Sequence, residues 1–301
     1  MSLLNLTNDG LPNVLVVLYA TVARSRSDLS QDELLQQVAP AEIANEAGKM
    51  ARQTLNRWTE LGLFRLDQQK VTLADPPDSD IRDDFELISA VRRAARKRAF
   101  APENNLDLWA SEGSRAADLT RSLAWLLAQD VYRTTFKDLE QREMDQIVDS
   151  GSRLLQNDTR LNGLRFWSHF LGFVRQPEGG DIDPTVAVRD CLSEVLKPGE
   201  DLPVDSFIAR LSEVIPVLDR GVWRRAVESR IRPESLPPLA AEQLSSGLSR
   251  AILCLRVDEE VVFEQRADTG SSIVLTGQSG IRSDFRFHWV RRPHKGKGNR
   301  K

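Results

Sequence analysis

The sequence predicts a mainly α-helical protein with small β-sheets, in which a module of helices and short strands stands at each end of a helical middle region. Three observations predict this class. Apolar residues recur at helical spacing through most of the 301 residues, alternating strand patterns occur near the two ends, and two polar stretches rich in Pro, Asp and Gly separate the parts. A chain of this length can hold two or three domains with cores of their own.

The N-terminal part begins with three predicted helices. The first starts after Pro12, which the first turn of a helix tolerates. The second opens with a capping box, formed by Ser30 and by Glu33 three residues later. The third occupies residues 45–61 and ends at Gly62, a favoured residue just past a helix C-terminus. Its apolar face, expected to pack on the first two helices, contains Ala47, Met50, Ala51, Leu55, Trp58 and Leu61.

A short hairpin follows the third helix. The segments FRL (64–66) and VTL (71–73) alternate like strands and flank DQQK. Three helices followed by a hairpin are in the order of a winged helix, and the stretch RWTELGLF before the hairpin resembles the pattern found in many bacterial regulators. A winged-helix domain is therefore predicted over residues 1–75.

The rest of the chain is predicted to form a helical domain, a second winged-helix-like domain and a basic tail. Four helical patterns fill residues 80–175. Residues 184–290 contain three more helical patterns, and then two strand patterns, VVFEQRAD and SSIVLTG, around a turn with Gly270, with FRFHWV as a further candidate strand. Residues 291–301 form the tail. Cys191 and Cys254 lie in apolar helical patterns and are expected to be buried thiols.

Charge is distributed unevenly along the chain. The total is −3, yet residues 280–301 contain eight basic residues against one acidic residue, a net +7 that leaves −10 on the remainder. Such an arm is typical of contact with a polyanion, although a solubilising end explains it equally well. The run RRAARKR (92–98) is similarly open to two interpretations, phosphate contacts or ion pairing with the acidic DIRDDFE upstream.

The third helix carries the strongest candidate binding surface, a polar stripe suited to the DNA major groove. Arg binds guanine edges, Asn and Gln bind adenine edges, and Lys suits phosphate. The neighbouring hairpin adds two basic residues that would contact the DNA backbone, and the tail adds four more. The predicted DNA-binding residues are Lys49, Arg52, Gln53, Asn56, Arg57, Arg65, Lys70, Arg291, Arg292, Lys295 and Lys297. Glu46 and Glu60 border the stripe, so a solvated face that binds a protein partner stays an alternative.

Signatures of catalysis are missing from the sequence. No G-x-S-x-G, Walker A, G-x-G-x-x-G or H-E-x-x-H motif occurs, and the two cysteines form no CxxC pair. We therefore expect no enzymatic activity, no cofactor and no metal site. The N-terminus has no basic region before its apolar residues and is interrupted by Asn and Asp, which predicts a cytoplasmic protein without a membrane span.

Two segments resemble a known family. The start of the chain, MSLLNLTNDGLPNVLVVLY, and the aromatic NGLRFWSHFLGFV at 162–174 are similar to the DpdG proteins. These proteins belong to bacterial clusters that insert 7-deazaguanine bases into DNA and restrict unmodified DNA. The resemblance implies an accessory protein in restriction, an anti-phage defence, that works beside helicase-like and nuclease partners. It supplies no catalytic residues.

The sequence thus favours a non-enzymatic subunit that binds double-stranded DNA or links other subunits of a DNA-processing or defence complex. Two alternatives belong to other classes. One is a free-standing winged-helix transcription regulator, which the missing long heptad run disfavours. The other is a kleisin-like protein–protein scaffold, in which the winged helices bind partners and not DNA.

Overall fold

The computed structural model describes residues 3–4, 11–40, 45–77, 81, 83–109, 115–148, 151, 153–155, 157–176, 178–266, 272–278 and 282–294. The predicted class, mainly helical with small antiparallel sheets, is confirmed in these residues. The helices are α1 (Pro12–Arg24), α2 (Gln31–Val38), α3 (Asn45–Glu60), α4 (Asp84–Ala99), α5 (Ala117–Ala128), α6 (Leu139–Gln146), α7 (Asp158–Phe170), α8 (Thr185–Val195), α9 (Val204–Val214), α10 (Val222–Glu228) and α11 (Ser246–Val257). The strands are β1 (Leu29–Ser30), β2 (Phe64–Asp67), β3 (Lys70–Leu73), β4 (Asp201–Pro203), β5 (Val262–Glu264), β6 (Ile273–Thr276), β7 (Arg282–Phe287) and β8 (Trp289–Arg291).

The chain divides into two compact units. The first consists of Met1–Thr120 with Gln156–Leu171, and the second of Arg121–Leu155 with Gly172–Lys301. Helices α4 and α7 of the predicted middle domain therefore belong to the first unit, whereas α6 belongs to the second. The division predicted from the sequence, into residues 1–75, 80–175, 184–290 and 291–301, stays a prediction.

The first unit contains a three-stranded antiparallel sheet in the order β1-β3-β2. The predicted hairpin is its β2–β3 pair, in which Arg65 lies opposite Thr72. Gln68 and Gln69 form the turn with φ values of 46° and 70°, the left-handed conformations that a two-residue type I′ turn requires. Strand β1 was not predicted, because two residues are too short to show an alternating pattern.

Local signals explain where α2 and α3 begin and end. The capping box is confirmed, since Ser30 Oγ accepts from the Glu33 amide at 3.2 Å and the Ser30 amide donates to Glu33 Oε2 at 2.8 Å. Helix α3 ends before Gly62, whose φ of 82° suits glycine. Trp58 is fully buried as predicted, and its ring centroid lies 5.4 Å from the ring centroid of Trp167 on α7.

The second unit repeats the element order of the first. The order along the chain is α8, β4, α9, α11, β5 and β8 in the second unit. It corresponds to α1, β1, α2, α3, β2 and β3 in the first. The sheet orders also correspond, since β4-β8-β5 matches β1-β3-β2 with every pair antiparallel. Helix α10 is inserted between the second and third helices, and the β6–β7 pair between the last two strands.

Several predicted details of the second unit were wrong. The patterns VVFEQRAD and SSIVLTG were expected to flank one turn, but β5 pairs with β8 and β6 pairs with β7. Gly270, predicted in that turn, lies outside the described residues. Strand β4 and helix α10 were missed because both are short. Helix α6 is shorter than its pattern, since Ile147 leaves the helix to bridge to Ile231. Cys191 is buried as expected, whereas Cys254 is only half-buried.

Candidate nucleic-acid interface

Four polar side chains of α3 turn away from the core. Lys49, Arg52 and Asn56 are exposed and Gln53 is half-exposed. They recur at intervals of three and four residues, which places them on one side of the helix. We call these four residues the α3 polar face. Their outward orientation agrees with the sequence prediction, while their contact with DNA stays a prediction.

Arg57 was expected on this face, and that placement is wrong. Its side chain is only 5% exposed, and its Nη1 donates to Glu60 Oε2 at 3.1 Å. The reason is helical geometry. Residues three or four positions apart lie on the same side of a helix, and both Thr54 and Leu61, at these distances from Arg57, are buried. The long aliphatic stem of Arg57 can pack on this side while Glu60 balances the charge. Arg57 is therefore a structural residue of α3.

The opposite face of α3 also differs slightly from the prediction. Ala51, Leu55, Trp58 and Leu61 are buried as expected. In the first two turns, however, Ala47 is exposed and Met50 is only half-buried. The helix is thus packed against the apolar core along its later turns, whereas Ala47 in its first turn is exposed.

Side chains from elsewhere in the first unit hold the C-terminal end of α3. Arg115 Nη1 donates to the carbonyl of Glu60 at 2.8 Å, and Asn104 Nδ2 donates to the carbonyl of Leu61 at 3.0 Å. These bonds satisfy carbonyls that a helix terminus leaves without intrahelical partners. Together with the contact between Trp58 and Trp167, they fix the rotation of α3 and hence the direction of its polar face.

Two basic residues of this surface, one in the hairpin and one on the α3 polar face, are already paired with carboxylates. Lys70 in the hairpin donates to Asp28 Oδ2 at 2.7 Å, and this hydrogen bond raises the pKa of its ammonium above the ordinary value. Arg52 lies 3.5 Å from Asp32. Arg65 is exposed on β2. Positive charge at this surface is therefore partly neutralised within the protein itself.

The basic run of α4 is engaged in structural contacts. Arg96 is 1% exposed and donates to the carbonyl of Leu171 at 2.7 Å. Lys97 and Arg98 both pair with Asp75, and hydrogen bonds from these two residues hold the pKa of Asp75 below its ordinary value. The geometry therefore supports ion pairing over phosphate contacts for this basic run. The carboxylate is Asp75, which lies in the linker before the predicted acidic stretch DIRDDFE.

The first residues of the predicted basic tail belong to ordered structure in the second unit. Arg291 is the last residue of β8 and lies 3.2 Å from Glu264 Oε1. Arg292 donates to Ser193 Oγ at 3.1 Å and to the carbonyl of Leu196 at 3.0 Å. The sequence missed this because the strand pattern of β8 is only three residues long. Lys295 and Lys297 lie outside the described residues.

Helix α11 occupies in the second unit the place that α3 has in the first. Unlike α3, it buries most of its surface, including Leu248, Ser249, Ala251, Ile252 and Leu255. Arg250 is turned to Asp181, which it contacts through Nη1 at 2.8 Å. Among the residues that the structure describes, the candidate interface therefore consists of the α3 polar face and the adjoining hairpin.

The fold and the site define a mainly helical protein with small antiparallel sheets, which presents a polar helix face beside a hairpin. The chain belongs to the DpdG-like family, whose family model matches residues 1–269. This confirms the resemblance seen in the sequence and associates the chain with the 7-deazaguanine modification system. No curated protein and no solved structure matches it. Within the described part of the chain, every helix is too short or too polar to span a bilayer.

Proposed function

We propose that this chain is a non-enzymatic subunit of the 7-deazaguanine restriction machinery and contacts double-stranded DNA through an N-terminal winged helix. Two features support a winged helix in the first unit. The elements follow the order helix, strand, helix, helix, strand, strand, and the sheet order is β1-β3-β2. In this kind of module the third helix enters the major groove. The matching order in the second unit supports a second module of the same type.

The α3 polar face is the observation that carries the proposal. Its members are a lysine, an arginine, a glutamine and an asparagine, and they point outward because Trp58 and Leu55 hold the opposite side in the core. These side chains match the donors and acceptors of phosphates and base edges, and a single helix fits a major groove about 12 Å wide. Arg65 and Lys70 of the hairpin lie on the element that would follow the DNA backbone.

The surrounding carboxylates set the character of this binding. Asp28 and Asp32 pair with Lys70 and Arg52, and Glu46 and Glu60 are exposed on α3 itself. Nonspecific affinity for DNA depends on the number of phosphates that cations neutralise. The α3 polar face therefore supports only modest affinity for DNA, which depends on specific contacts. This agrees with a subunit that is placed on DNA together with other proteins.

The absence of catalysis and the identity of the partners are parts of the proposal that rest on the sequence and the family. The chain lacks the catalytic motifs named above. A DNA-contacting subunit without chemistry of its own needs partners that act on DNA, and helicase-like and nuclease subunits of the same restriction system would fill this role.

A second candidate function is an adaptor whose α3 polar face binds a protein. The ion pairs of Arg52 and Lys70 favour it, because a face that contains both charge signs suits the polar rim of a protein interface as well as a phosphate backbone. In this alternative the restriction system is the same, but α3 contacts another subunit.

Fluorescence anisotropy on mixed-sequence duplexes at two salt concentrations tests the proposal. The variant changes Lys49, Arg52 and Asn56 together to Ala, which should leave the fold intact because all three side chains are exposed. We expect a loss of about 2–5 kcal/mol in DNA affinity, from contacts worth roughly 1–3 kcal/mol each.

A charge-matched control separates local contacts from overall charge. Changing Lys137, Gln141 and Lys197 to Ala also removes two positive charges and one polar side chain, all of them exposed in the second unit. This control should bind DNA like the parent. If the α3 variant binds as tightly as the control, or if the parent does not bind DNA, the adaptor function replaces the DNA-binding one.

A further inference from the structure

The first unit contains an open cleft of about 790 Å³ that the DNA-binding proposal does not use. It lies where strand β1 begins, between the end of α1, the loop 25–28, strand β3 and residues 76, 77 and 81 of the linker. Val22, Leu29 and Pro77 contribute apolar groups to its lining, whereas the described lining residues include none of the α3 polar face. Its volume is within the range of ligand-binding clefts.

Strand β3 continues along this cleft beyond the end of its neighbour β1. Strand β1 pairs only with Lys70 and Val71, although β3 runs on to Leu73. The same register, continued by two residues, would place Ser27 opposite Leu73. Ser27 turns away instead, since its N–H donates to Ser25 Oγ at 3.3 Å and its carbonyl accepts from the same hydroxyl at 2.6 Å. Among the described strands, none therefore pairs with Leu73 on the β1 side.

The hydrogen-bond pattern of the sheet directs the main-chain groups of Leu73 to this open side. Alternate residues of a strand bond to the neighbour on the same side. The Gln31 amide donates to the Gln69 carbonyl at 3.0 Å, so Gln69 and every second residue after it face the β1 side. The Ala74 amide donates to the Leu63 carbonyl at 2.9 Å, so the residues between them face β2. The N–H and the carbonyl of Leu73 thus point to the side of the cleft, and neither has a hydrogen-bond partner among the described residues.

One positive charge at the cleft is not balanced by a described side chain. The charged residues among the described lining are Arg24, Arg26 and Asp28. Arg24 donates to Asp84 Oδ1 at 2.9 Å, and Asp28 accepts from Lys70 at 2.7 Å. Arg26 is exposed, and its side chain forms no ion pair or hydrogen bond with the described residues. The complementary group is a carboxylate, because a guanidinium binds it through two parallel hydrogen bonds.

We propose that this cleft binds a short extended peptide segment of a partner protein, which pairs with Leu73 by β-strand addition and places an acidic side chain at Arg26. The peptide takes the position opposite Leu73, where its N–H donates to the Leu73 carbonyl and its carbonyl accepts from the Leu73 N–H. Leu73 is buried, and buried main-chain groups are nearly always paired, so the added strand supplies partners that the sheet lacks. Its apolar side chains contact lining residues such as Leu29 and Pro77.

The chemistry of Leu73 favours a peptide over a nucleic-acid backbone. A phosphate would also meet Arg26, but its oxygens are only acceptors, which leaves the Leu73 carbonyl without a donor. A peptide main chain offers a donor and an acceptor at the spacing of a strand. The apolar part of the lining also suits peptide side chains.

Fluorescence anisotropy of the full chain with two labelled peptide sets tests the proposal. Each set contains pentapeptides with Val, Ile, Thr or Tyr around a central residue, which is Glu in one set and Lys in the other, because these flanking residues favour strands. The Glu set should bind at least about tenfold more tightly than the Lys set, the scale of a hydrogen-bonded charge pair. The Glu set with methylated amide nitrogens keeps its side chains but has no main-chain donors, and it should also bind at least about tenfold more weakly.

A charge reversal locates the acidic side chain. Arg26→Glu should reverse the preference, so that the Lys set binds more tightly than the Glu set. Lys137→Glu makes the same change of charge at an exposed position of the second unit and should keep the preference of the parent. Both positions are exposed, so neither substitution should disturb the fold.

Amide hydrogen exchange locates the peptide main chain. At saturation, the Glu set should slow exchange of the Leu73 amide at least about tenfold, because this N–H becomes hydrogen-bonded. Unchanged exchange at Leu73, equal binding of the Glu and Lys sets, or no binding of either set would overturn the proposal. Displacement of the Glu set by oligothymidylate would overturn it as well and assign Arg26 to phosphate.

Discussion

Two modules with the same element order use their third helices in opposite ways. Helix α3 of the first unit exposes Lys49, Arg52 and Asn56, whereas helix α11 of the second buries Ala251 and Ile252 completely. The sheets correspond strand for strand, so the difference does not come from the core topology. It comes from what is packed against each helix.

Inserted elements cover α11 within its own unit. The amide of Thr276 on β6 donates to Ser249 Oγ at 2.8 Å, which joins the β6–β7 pair to the helix. At its first turn, Gly247 lies so close to the segment after α5 that an added Cβ would meet Val131 Cγ1 at 3.3 Å. The first unit has a two-residue turn where the second has β6 and β7. The two units therefore share an order of elements, and the elements inserted in the second unit change which face of the third helix is exposed.

A buried charge gives the largest expected difference between the two helices. Ala251→Asp should destabilise the chain by about 3–5 kcal/mol, because a carboxylate would be buried in α11 without a partner. Ala47→Asp in the first turn of α3 should have little effect or stabilise by about 0.3–1 kcal/mol, since Ala47 is exposed near the positive end of the helix dipole. Urea unfolding of both variants measures this. Equal losses would show that the two helices are packed alike.

Removing the charge of Asp183, which pairs with Arg250, should give the next largest loss of stability, and this loss should depend on pH. Asp183, which is 3% exposed, accepts from the Thr185 amide at 3.0 Å and pairs with Arg175 and Arg250. Burial would raise the pKa of Asp183, but hydrogen bonds from Thr185 and Arg175 hold this pKa below its ordinary value. Asp183→Asn should therefore lower the stability near pH 7 by about 2–3 kcal/mol, the scale of hydrogen bonds to a charged group.

The direction of the pH dependence follows from the depressed pKa. The stabilisation by ionised Asp183 is complete above the unfolded pKa of about 3.9 and is lost as pH falls through the lower folded value. The difference between parent and Asp183→Asn should thus be constant from pH 5 to 7 and shrink below about pH 4. Glu178→Gln, at an exposed position nearby, is the control. A difference that persists unchanged at pH 2 would mean that packing, and not charge, explains the loss.

The smallest effect concerns the carboxylates beside α3. Changing both Asp28 and Asp32 to Asn frees Lys70 and Arg52 from their ion pairs and removes two charges that repel phosphate. If α3 contacts DNA, affinity should rise about two- to tenfold, the scale of screened surface charges. Asp138→Asn with Asp145→Asn removes the same charge from exposed positions of the second unit and should change affinity less. Equal gains for both pairs would show that only net charge matters.

Much of the local structure was predictable from the sequence. Helix α2 was located by its capping box, α3 by its apolar spacing and by Gly62, and the β2–β3 hairpin by its alternation, since each of these signals comes from residues close together in the chain. The family followed from two segments of the sequence. The outward direction of Arg52 and Asn56 also followed, because the burial of Trp58 on the same helix determines it.

The tertiary structure alone decided which basic residues are available and which helix is exposed. Arg57 is buried between Thr54 and Leu61, Arg291 belongs to a strand that pairs with β4 and β5, and α11 is covered by β6. Each result depends on contacts between residues distant in sequence, for which helical and strand periodicity contain no information.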